Sequence, residues 1–240
     1  MQLLELTLDG SLANIALDEA LLEAAENGSV DQELLRLWQP TEPMVVVGRS
    51  SSVSDEVNLD YCQKNKIPVV RRCSGGATIV AAKGCLMYAV LLSYQQRPEL
   101  RMLEQAHQFV MSRLSEAAGS LGVVLKLQGI CDLTLADRKV SGNALRCKKN
   151  WMIYHGTLLC EMDLDLISNC LGQPRRQPAY REGRSHAEFV GQLPVSTEAL
   201  STALMESWQA HQRTSLWPRE RTAELVAEKY SAYDWNHKVV

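Results

Sequence analysis

The most constraining feature of the sequence is a group of four strand-like segments with only short connections between them. The segments cover residues 123–127, 132–136, 139–146 and 151–160, and turn-prone residues join them at Asp137-Arg138 and at Lys148-Lys149-Asn150. Strands joined by tight turns pair in antiparallel order. A chain that groups its strands in this way is typical of an α+β fold, because an α/β fold would alternate each strand with a helix.

Helical spacing of apolar residues marks other parts of the chain. Residues 14–26 place Leu17, Leu21 and Ala24 on one face, and residues 103–121 form a longer amphipathic helix that Gly122 closes. Further strands are predicted at 4–8, 34–38, 44–47 and 67–72, a short helix at 59–64, and a helical tail at 164–171, 197–211 and 219–230. The sequence therefore predicts a mixed, mostly antiparallel sheet flanked by helices, in a single domain covering residues 1–240.

Composition and charge exclude several classes of protein. Hydrophobic residues make up 46% of the 240, enough to bury a sizeable core, and 25 basic against 28 acidic residues give a net charge of -3. This balance offers no broad basic surface, so nucleic acid is not expected as a partner. The first ten residues lack basic side chains and no apolar run reaches about 18 residues, so we expect a cytoplasmic protein without a membrane partner.

The cysteines give no sign of a disulfide framework or a metal centre. They number seven, at positions 62, 73, 85, 131, 147, 160 and 170, and contain no CxxC pair. An odd count in this arrangement fits neither a set of disulfides nor a zinc module, so no metal-ligating residues are predicted. We expect most of the seven to be small buried hydrophobes.

A first candidate site follows the apolar strand at 67–72. It reads Arg71-Arg72-Cys73-Ser74-Gly75-Gly76-Ala77-Thr78, two cations followed by small residues. Glycines let the backbone approach a ligand and leave amide N–H groups free to point at an anion, while arginine adds a bidentate donor. The segment would suit a nucleotide phosphate or a carboxylate. A glycine-containing turn with two solvated arginines explains it equally well.

Two further segments carry polar residues inside predicted strands. In the first, Lys139 precedes Ser141-Gly142-Asn143-Ala144, and a lysine beside a carbonyl or phosphoryl group can stabilise developing negative charge. In the second, His155-Gly156-Thr157 interrupts an otherwise apolar strand. Each also has an ordinary explanation, because a lysine after a turn is commonly solvated and a strand histidine is commonly a satisfied core residue.

Together and in this order, the three segments resemble the lipoate-protein ligase A family of the biotin/lipoate protein ligase superfamily. The family's arginine-serine-triple-glycine loop is matched by residues 71–77, its lysine motif by 139–144 and its histidine strand by 155–159. Weaker matches lie at 14–19, 43–49 and 230–236, so the resemblance covers nearly the whole chain. It implies the catalytic-domain fold of that superfamily, which is consistent with the α+β pattern.

The sequence departs from the family pattern at two places near the loop. The third glycine is Ala77, and Ala81-Ala82 stand where the family has a His-Asp pair, so any role of that pair in shaping the pocket is lost or moved. Larger members also carry a small C-terminal domain that takes part in forming the acyl-adenylate. The sequence stops at Val240, where the family's catalytic domain would end, and we therefore expect no accessory domain.

By resemblance, the chain is expected to attach a lipoyl or octanoyl group to a lysine of a lipoyl domain through a lipoyl-adenylate. Lys139 would be catalytic and contact the acyl carbonyl and the α-phosphate. The loop at 71–78 would wall the acyl and nucleotide pocket, which would be lined further by Gly142, Asn143, Ala144, His155, Gly156 and Thr157. ATP and Mg²⁺ would serve activation of lipoate or octanoate. The expected partners are the lipoyl-domain acceptor and a separate accessory subunit or an acyl carrier protein.

Two other functions remain open at this point. An octanoyl- or lipoyltransferase of the same fold would take its acyl group from a carrier protein through a cysteine thioester without ATP. Its candidate nucleophile is Cys131, eight positions ahead of Lys139, although a buried structural cysteine is the commoner case. A non-catalytic acyl- or adenylate-binding protein would fit Ala81-Ala82, but simple binding does not need the charge of Lys139 at the carbonyl.

Overall fold

Strands and helices account for most of the residues in the computed structural model, which describes residues 1–173 and 177–238. The strands are β1 (Gln2–Glu5), β2 (Leu34–Trp38), β3 (Met44–Val47), β4 (Val69–Arg71), β5 (Ile79–Ala81), β6 (Cys85–Ser93), β7 (Lys126–Gln128), β8 (Asp132–Leu135), β9 (Arg138–Cys147), β10 (Trp151–Leu159) and β11 (Gln212–Arg213). The helices are α1 (Ser11–Glu26), α2 (Val53–Glu56), α3 (Leu59–Lys64), α4 (Leu103–Ser120), α5 (Asp165–Cys170), α6 (His186–Phe189), α7 (Thr197–Ser207), α8 (Arg219–Leu225) and α9 (Tyr233–His237). Short 3-10 helices lie at Pro98–Arg101 and Ala179–Arg181, and a π-helical turn lies at Val226–Tyr230.

Within the described residues, the larger sheet has the strand order β11-β1-β2-β6-β10-β9-β8-β7. Every neighbouring pair from β2 to β7 is antiparallel, whereas β1 pairs in parallel with both β2 and β11. The hairpins of β8, β9 and β10 follow from the tight turns that the sequence shows between them. The predicted mixed, mostly antiparallel sheet is confirmed.

The central strand β6 is buried along its whole length, from Cys85 to Ser93. Its alternate side chains enter different clusters: Tyr88 and Val90 pack with α4 and α7, whereas Ala89 and Leu91 pack with α1. Both faces of the sheet are therefore covered by helices. The sequence pattern does not predict β6, because a strand buried on both faces shows a continuous apolar run instead of alternation.

A smaller sheet, in the order β4-β3-β5, lies beside the larger one and carries the glycine-rich segment. Strand β3 pairs in parallel with β4 and antiparallel with β5, so the connection between β4 and β5 must cross over β3. Residues 72–78, the glycine loop from here on, make this connection. The side chains of this sheet join a second core cluster that includes Val45, Val70 and Val80.

The predicted helices are present in the structure but differ at their ends, and the short helices α2, α6 and α9 were not predicted. The predicted helix at 197–211 ends at Ser207, and the one at 219–230 changes from α-helical to π-helical geometry at Val226. The predicted strand at 123–127 is shorter and shifted, as β7. Across the described part of the chain, no helix combines the length and apolar character needed to cross a membrane.

Candidate active site

A cavity of about 520 Å³ opens where the two sheets meet. It collects residues from α1, β6, β9 and β10 and from the glycine loop. Its apolar wall includes Ile15, Trp38, Val46 and Met87. Of the predicted site residues, those that line it are Arg72, Gly76, Ala77, Thr78, Cys131, Lys139, Gly142, Asn143, Ala144, His155, Gly156 and Thr157. The three separate sequence segments therefore come together on one cavity.

A second, smaller cavity of about 120 Å³ also has Lys139 in its wall. Among the described residues, the two cavities share seven wall residues: Ala77, Thr78, Ile79, Lys139, Gly142, Thr157 and Pro178. Apolar residues from α5 and α6, and the Arg181 and His186 side chains, complete the smaller cavity. Lys139 and the end of the glycine loop thus stand at the border between two spaces.

Lys139 is held at this border by Asp132. The Lys139 Nζ lies 2.7 Å from Asp132 Oδ1, and the Tyr180 hydroxyl donates to Asp132 Oδ2 at 2.7 Å. Strand β9 has a glycine at position 142, where a Cβ would come 3.0 Å from Lys139 Cε. Gly142 therefore leaves room for the lysine side chain to lie along the strand toward the cavities.

Asn143 is fixed in place by three elements. Its Oδ1 accepts from the Tyr88 hydroxyl at 2.5 Å, and its Nδ2 donates to the Cys131 carbonyl at 2.7 Å. Opposite it in the sheet is Gly156, where a Cβ would come within 2.0 Å of Asn143 Oδ1. Glycine at 156 is thus needed for the amide of Asn143 to occupy this position.

Arg72 organises the glycine loop from inside. Its guanidinium donates to the carbonyl oxygens of Val46, Gly75 and Ala77 and to Ser74 Oγ. Burial lowers its pKa to about 10, which still leaves it charged at neutral pH. Because its donors are directed at protein carbonyls, Arg72 shapes the loop that faces the cavity.

The loop also depends on two glycines that approach each other closely. Gly76 has a φ of +87°, in the left-handed region that glycine adopts readily. A Cβ at Gly48 would lie 1.8 Å from the Gly76 carbonyl oxygen. The loop can therefore close onto the end of β3 only while residue 48 has no side chain.

Ser74 connects the loop to His155 and onward to α1. Ser74 Oγ lies 2.6 Å from His155 Nε2, and His155 Nδ1 lies 2.7 Å from Asp18 Oδ2. Asp18 Oδ1 in turn accepts from Arg36 at 2.7 Å. Ser74, Asp18 and Arg36 are buried, with 0%, 4% and 0% of their surface exposed. Of these four residues, His155 and Asp18 line the cavity.

Arg71, Ser74 and Gly75 do not line the cavity. The Arg71 guanidinium is fully buried and donates to the carbonyl oxygens of Gly48, Ser51 and Trp235, and its backbone N–H donates to Asn236 Oδ1. It joins β4 to the β3 end and to α9. Arg71 therefore supports the loop from behind. Ala81 and Ala82, in place of the family's His-Asp pair, are buried in the core cluster of the smaller sheet.

Cys131 lines the larger cavity as a thiol. Burial, reinforced by the nearby Asp132 carboxylate, raises its pKa above the ordinary value, and its Sγ donates to the Asn143 carbonyl at 3.2 Å. A nucleophilic cysteine needs the opposite environment, one that lowers the thiol pKa.

Three side chains of the site were not predicted from the sequence. Asp18 lies in the segment 14–19 that the resemblance marks only weakly, and Asp132 directly follows Cys131 without any pattern of its own. Tyr88 lies on the unpredicted β6. The sequence marks only the residues that they contact, namely His155, Lys139 and Asn143. Local spacing does not show which side chains of distant segments lie next to each other in the fold.

The fold matches several solved structures over essentially its full length. One belongs to a bi-partite lipoate protein ligase solved with its E2 lipoyl domain, from Thermoplasma acidophilum; it has a TM-score of 0.84 and 23% identity, covering 100% of this chain and 96% of the other. A T. acidophilum protein with bound lipoic acid has a TM-score of 0.82 and 22% identity, and a lipoate-protein ligase A bound with ATP has 0.78 and 23%. The match to the protein with lipoic acid covers 99% of both chains, and the match to the ligase with ATP covers 100% of this chain and 99% of the other. At this level of identity they show the fold.

The sequence comparison gives the family. Residues 11–207 match the model of the lipoyl protein ligase A/B catalytic domain, and the chain belongs to this family of enzymes. Lipoate–protein ligase 1 of Staphylococcus aureus is 31% identical over 93% of this chain and 69% of its own length. Subunit 1 of the Thermoplasma acidophilum lipoate-protein ligase A is 25% identical over 93% and 90%. The octanoyltransferase LipM of Carboxydothermus hydrogenoformans is 26% identical over 92% and 93%.

Proposed function

We propose that the chain is a lipoate–protein ligase, which activates lipoate with ATP and transfers the lipoyl group to a lysine of a lipoyl domain. The observation that carries this proposal is the position of Lys139 on the shared wall of the two cavities, with its charge held there by Asp132. An acyl-adenylate has its reactive carbonyl between an apolar chain and a nucleotide. A cation between two cavities is suitably placed for this carbonyl, with the apolar chain in one cavity and the nucleotide in the other.

The chemistry follows from what a fixed ammonium group can do. In the first step a carboxylate oxygen of lipoate attacks the α-phosphorus of ATP and pyrophosphate leaves. In the second, the acceptor amine attacks the acyl carbonyl, its proton is lost and AMP leaves. Both steps build negative charge near Lys139, on the phosphoryl oxygens and then on the carbonyl oxygen. A preorganised cation lowers the free energy of such transition states.

Other side chains have supporting roles in this proposal. Asn143 and His155 line the wall next to the carbonyl, and the glycine loop closes the same region. A Mg²⁺ ion bound with ATP would take its ligands mainly from phosphate oxygens and water. The carboxylate of Asp132 is already engaged in its ion pair with Lys139. Lipoate and octanoate share the apolar chain that the larger cavity would accept.

The alternative is an octanoyl- or lipoyltransferase that works through a thioester on Cys131. It is favoured by one observation, the presence of Cys131 on the wall of the larger cavity. The similarity to an octanoyltransferase keeps it open. The raised pKa of the thiol and its hydrogen bond to Asn143 argue for the ligase, because the nucleophile in a thioester mechanism is the thiolate.

The proposed partners are a lipoyl-domain acceptor and, for activation, a separate accessory subunit. Two matches from Thermoplasma acidophilum support this: a protein called subunit 1 of a ligase, and a solved bi-partite ligase that was studied with its E2 lipoyl domain. We propose action in the cytoplasm, because all seven cysteines lie in the described ranges and all are free thiols, as in a reducing compartment.

The experiment is a measurement of the intact mass of an unmodified lipoyl domain after incubation with the protein. The acyl sources are lipoate with ATP, preformed lipoyl-adenylate, and octanoyl carrier protein without ATP. We expect rapid lipoylation from the adenylate and slower, ATP-dependent lipoylation from free lipoate, because an accessory subunit is proposed for the activation step. A lipoyl domain with its acceptor lysine changed to arginine is the control. Modification only from the carrier protein would replace the ligase by the transferase.

The three sources also separate activation from transfer. If lipoate with ATP is slow while lipoyl-adenylate reacts rapidly, activation needs an accessory subunit and transfer does not. If the protein modifies the acceptor from none of the three sources, the proposed function is wrong. The retained acyl-adenylate or a cysteine adduct can be identified in the same samples, by the mass of the protein itself.

A further inference from the structure

A buried chain of hydrogen bonds joins the glycine loop to the core of the larger sheet. It runs from Ser74 through His155 to Asp18 and then to Arg36, with successive distances of 2.6, 2.7 and 2.7 Å. Arg36 also donates to the backbone oxygen and the side-chain oxygen of Asn14 at 2.8 and 2.9 Å. Four sequence-distant residues therefore form one connected polar unit beneath the cavity.

The hydrogen atoms of this unit can be assigned by counting donors and acceptors. Burial alone would raise the pKa of the Asp18 carboxyl, but the hydrogen bond from His155 and the charge of Arg36 hold it below its ordinary value. A carboxylate is an acceptor only, so His155 Nδ1 carries the hydrogen that Asp18 accepts. In neutral imidazole, Nε2 is then an acceptor, and the Ser74 hydroxyl donates to it.

Arg72 completes the count at the other end. Its Nε donates to Ser74 Oγ at 3.0 Å, so the hydroxyl accepts one hydrogen bond and donates one. If His155 instead carried its hydrogen on Nε2, two donors would face Ser74 Oγ. The hydroxyl hydrogen would then lose its acceptor inside the protein, which is costly for a buried group. The position of Ser74 is therefore tied to one tautomer of His155, and that tautomer is selected by Asp18.

The order serine, histidine, aspartate also occurs in hydrolases, where the serine attacks the substrate. Here Ser74 is fully buried and is not part of the cavity wall. Its Oγ already accepts from Arg72. A nucleophile needs access to the reacting carbonyl, so this serine is not suited to attack one. The arrangement fits a role in holding the loop.

We infer that Asp18 is a positioning residue that acts through His155 to hold the glycine loop at the reacting end of the acyl cavity. The inference rests on the proposed function for the identity of the ligand, but its geometry does not. The loop is anchored independently at its far end, where Glu56 accepts from the backbone N–H and the hydroxyl of Thr78. Gly75 and Ala77 also accept from Arg72, so loss of the Ser74 anchor should loosen residues 73–77 without detaching Thr78.

The first test compares Asp18→Asn, Ser74→Ala and the double variant. Arg36 is buried and donates to residue 18, so the introduced amide should turn its oxygen to Arg36 and its NH₂ toward His155 Nδ1. The hydrogen of His155 would then be on Nε2, which is the opposite of the tautomer that Ser74 requires. We expect kcat/KM for transfer from lipoyl-adenylate to fall about tenfold or more in each single variant, a range typical of residues that orient an active-site group. The double variant should be no more than about twofold worse than Asp18→Asn.

The matched control is Glu33→Gln, which breaks the ion pair between a buried carboxylate and the half-buried Arg97. Glu33 accepts from Arg97 at 3.0 Å and from the backbone N–H of Ser93 at the end of β6, in the larger sheet, whereas the glycine loop connects two strands of the smaller sheet. Amide hydrogen exchange measured without ligand should rise in residues 73–77 for Asp18→Asn and Ser74→Ala, and stay as in the wild type for Glu33→Gln. Unchanged loop exchange in both site variants, or fully additive losses, would overturn the inference.

A second measurement needs no variant. Nitrogen NMR of the imidazole in the wild-type protein should report hydrogen on Nδ1 and not on Nε2 of His155. The opposite tautomer would contradict the inference even if Asp18→Asn failed to fold. Hydrogen exchange and NMR are both independent of acyl transfer. If they agree with the inference while no acyl source modifies a lipoyl domain, the proposed function fails and the positioning role of Asp18 stands.

Discussion

Lys139 and Asp132 form an ion pair of 2.7 Å on adjacent strands, at the wall that the two cavities share. Their side chains are 26% and 14% exposed, so the pair is screened by salt less than a surface ion pair would be. In the proposed mechanism, Asp132 orients the ammonium group before substrate arrives. When a carbonyl or phosphoryl oxygen enters, the other two hydrogens of the ammonium group remain available for it.

The substitution Lys139→Ala should lower acyl transfer at least about a hundredfold, because in the proposed mechanism it removes the cation that stabilises the developing oxyanion. The fold should remain intact, since the side chain reaches the cavity wall and is not part of the core clusters. Steady-state transfer from lipoyl-adenylate and thermal unfolding would be measured together. Lys126→Ala, at an exposed lysine of β7, is the control and should be active. Normal turnover in a folded Lys139→Ala protein would remove Lys139 from the mechanism.

The substitution Cys131→Ser should leave lipoate- and ATP-dependent transfer within about threefold of the wild type, because burial raises the pKa of this thiol and keeps it protonated at neutral pH. For the same reason, iodoacetamide at neutral pH should modify the exposed Cys147 before Cys131. Peptide mass spectrometry with time would follow both sites. Complete loss of transfer in Cys131→Ser, together with an alkaline-labile acyl group on Cys131 in the wild type, would establish the thioester mechanism instead.

The substitution Gly48→Ala should disturb the glycine loop more than a change within the loop itself. A Cβ at position 48 would lie 1.8 Å from the Gly76 carbonyl oxygen, a backbone atom that can move only with the loop. We expect the free energy of unfolding to fall by about 1–3 kcal/mol. Acyl transfer should fall by more than this loss of stability explains. Gly75→Ala is the matched control, because no atom lies within 4 Å of its Cβ. Equal behaviour of the two variants in urea unfolding and transfer assays would contradict the close packing of Gly48 and Gly76.

The fold class and the three chemical segments could be predicted from the sequence because each has a local signal. Tight turns at 137–138 and 148–150 predict the hairpins of β8 to β10, and helical spacing predicts α1 and α4. Strand β6 has no such signal, since both its faces are buried and its apolar run is continuous. The centre of the sheet is therefore the part that the sequence pattern leaves out.

The sequence marked part of the residues that line the cavity, but not the side chains that pair with them. Lys139 and His155 stand out as polar residues in strands, whereas their partners Asp132 and Asp18 do not. The two adjacent arginines, Arg71 and Arg72, are another case in which the sequence does not show the role of each side chain. Only the structure distinguishes Arg72, inside the loop, from Arg71, which donates to the β3 end and to α9. Long-range geometry decides which of two similar residues faces the cavity.

The free energy of unfolding should depend on pH through the ionisation of Asp18. Its pKa in the folded protein is lowered from the ordinary value of 3.8, because the hydrogen bond from His155 and the charge of Arg36 outweigh the effect of burial. A carboxyl with a lowered pKa contributes its full stability above the unfolded-state value and loses it as pH falls toward the folded-state value. The contribution should therefore be constant from neutral pH down to somewhat above 3.8 and decrease below it.

The measurement is urea unfolding of the wild type and Asp18→Asn across this pH range. At neutral pH the variant should be less stable by about 3–5 kcal/mol, because it leaves the buried Arg36 without its charged partner. The difference should begin to shrink only as pH falls to about 3.8, where Asp18 of the unfolded wild type binds a proton while the folded protein still keeps it ionised. A difference that already declines at mildly acidic pH would mean that the pKa of Asp18 is raised, and that burial outweighs both His155 and Arg36.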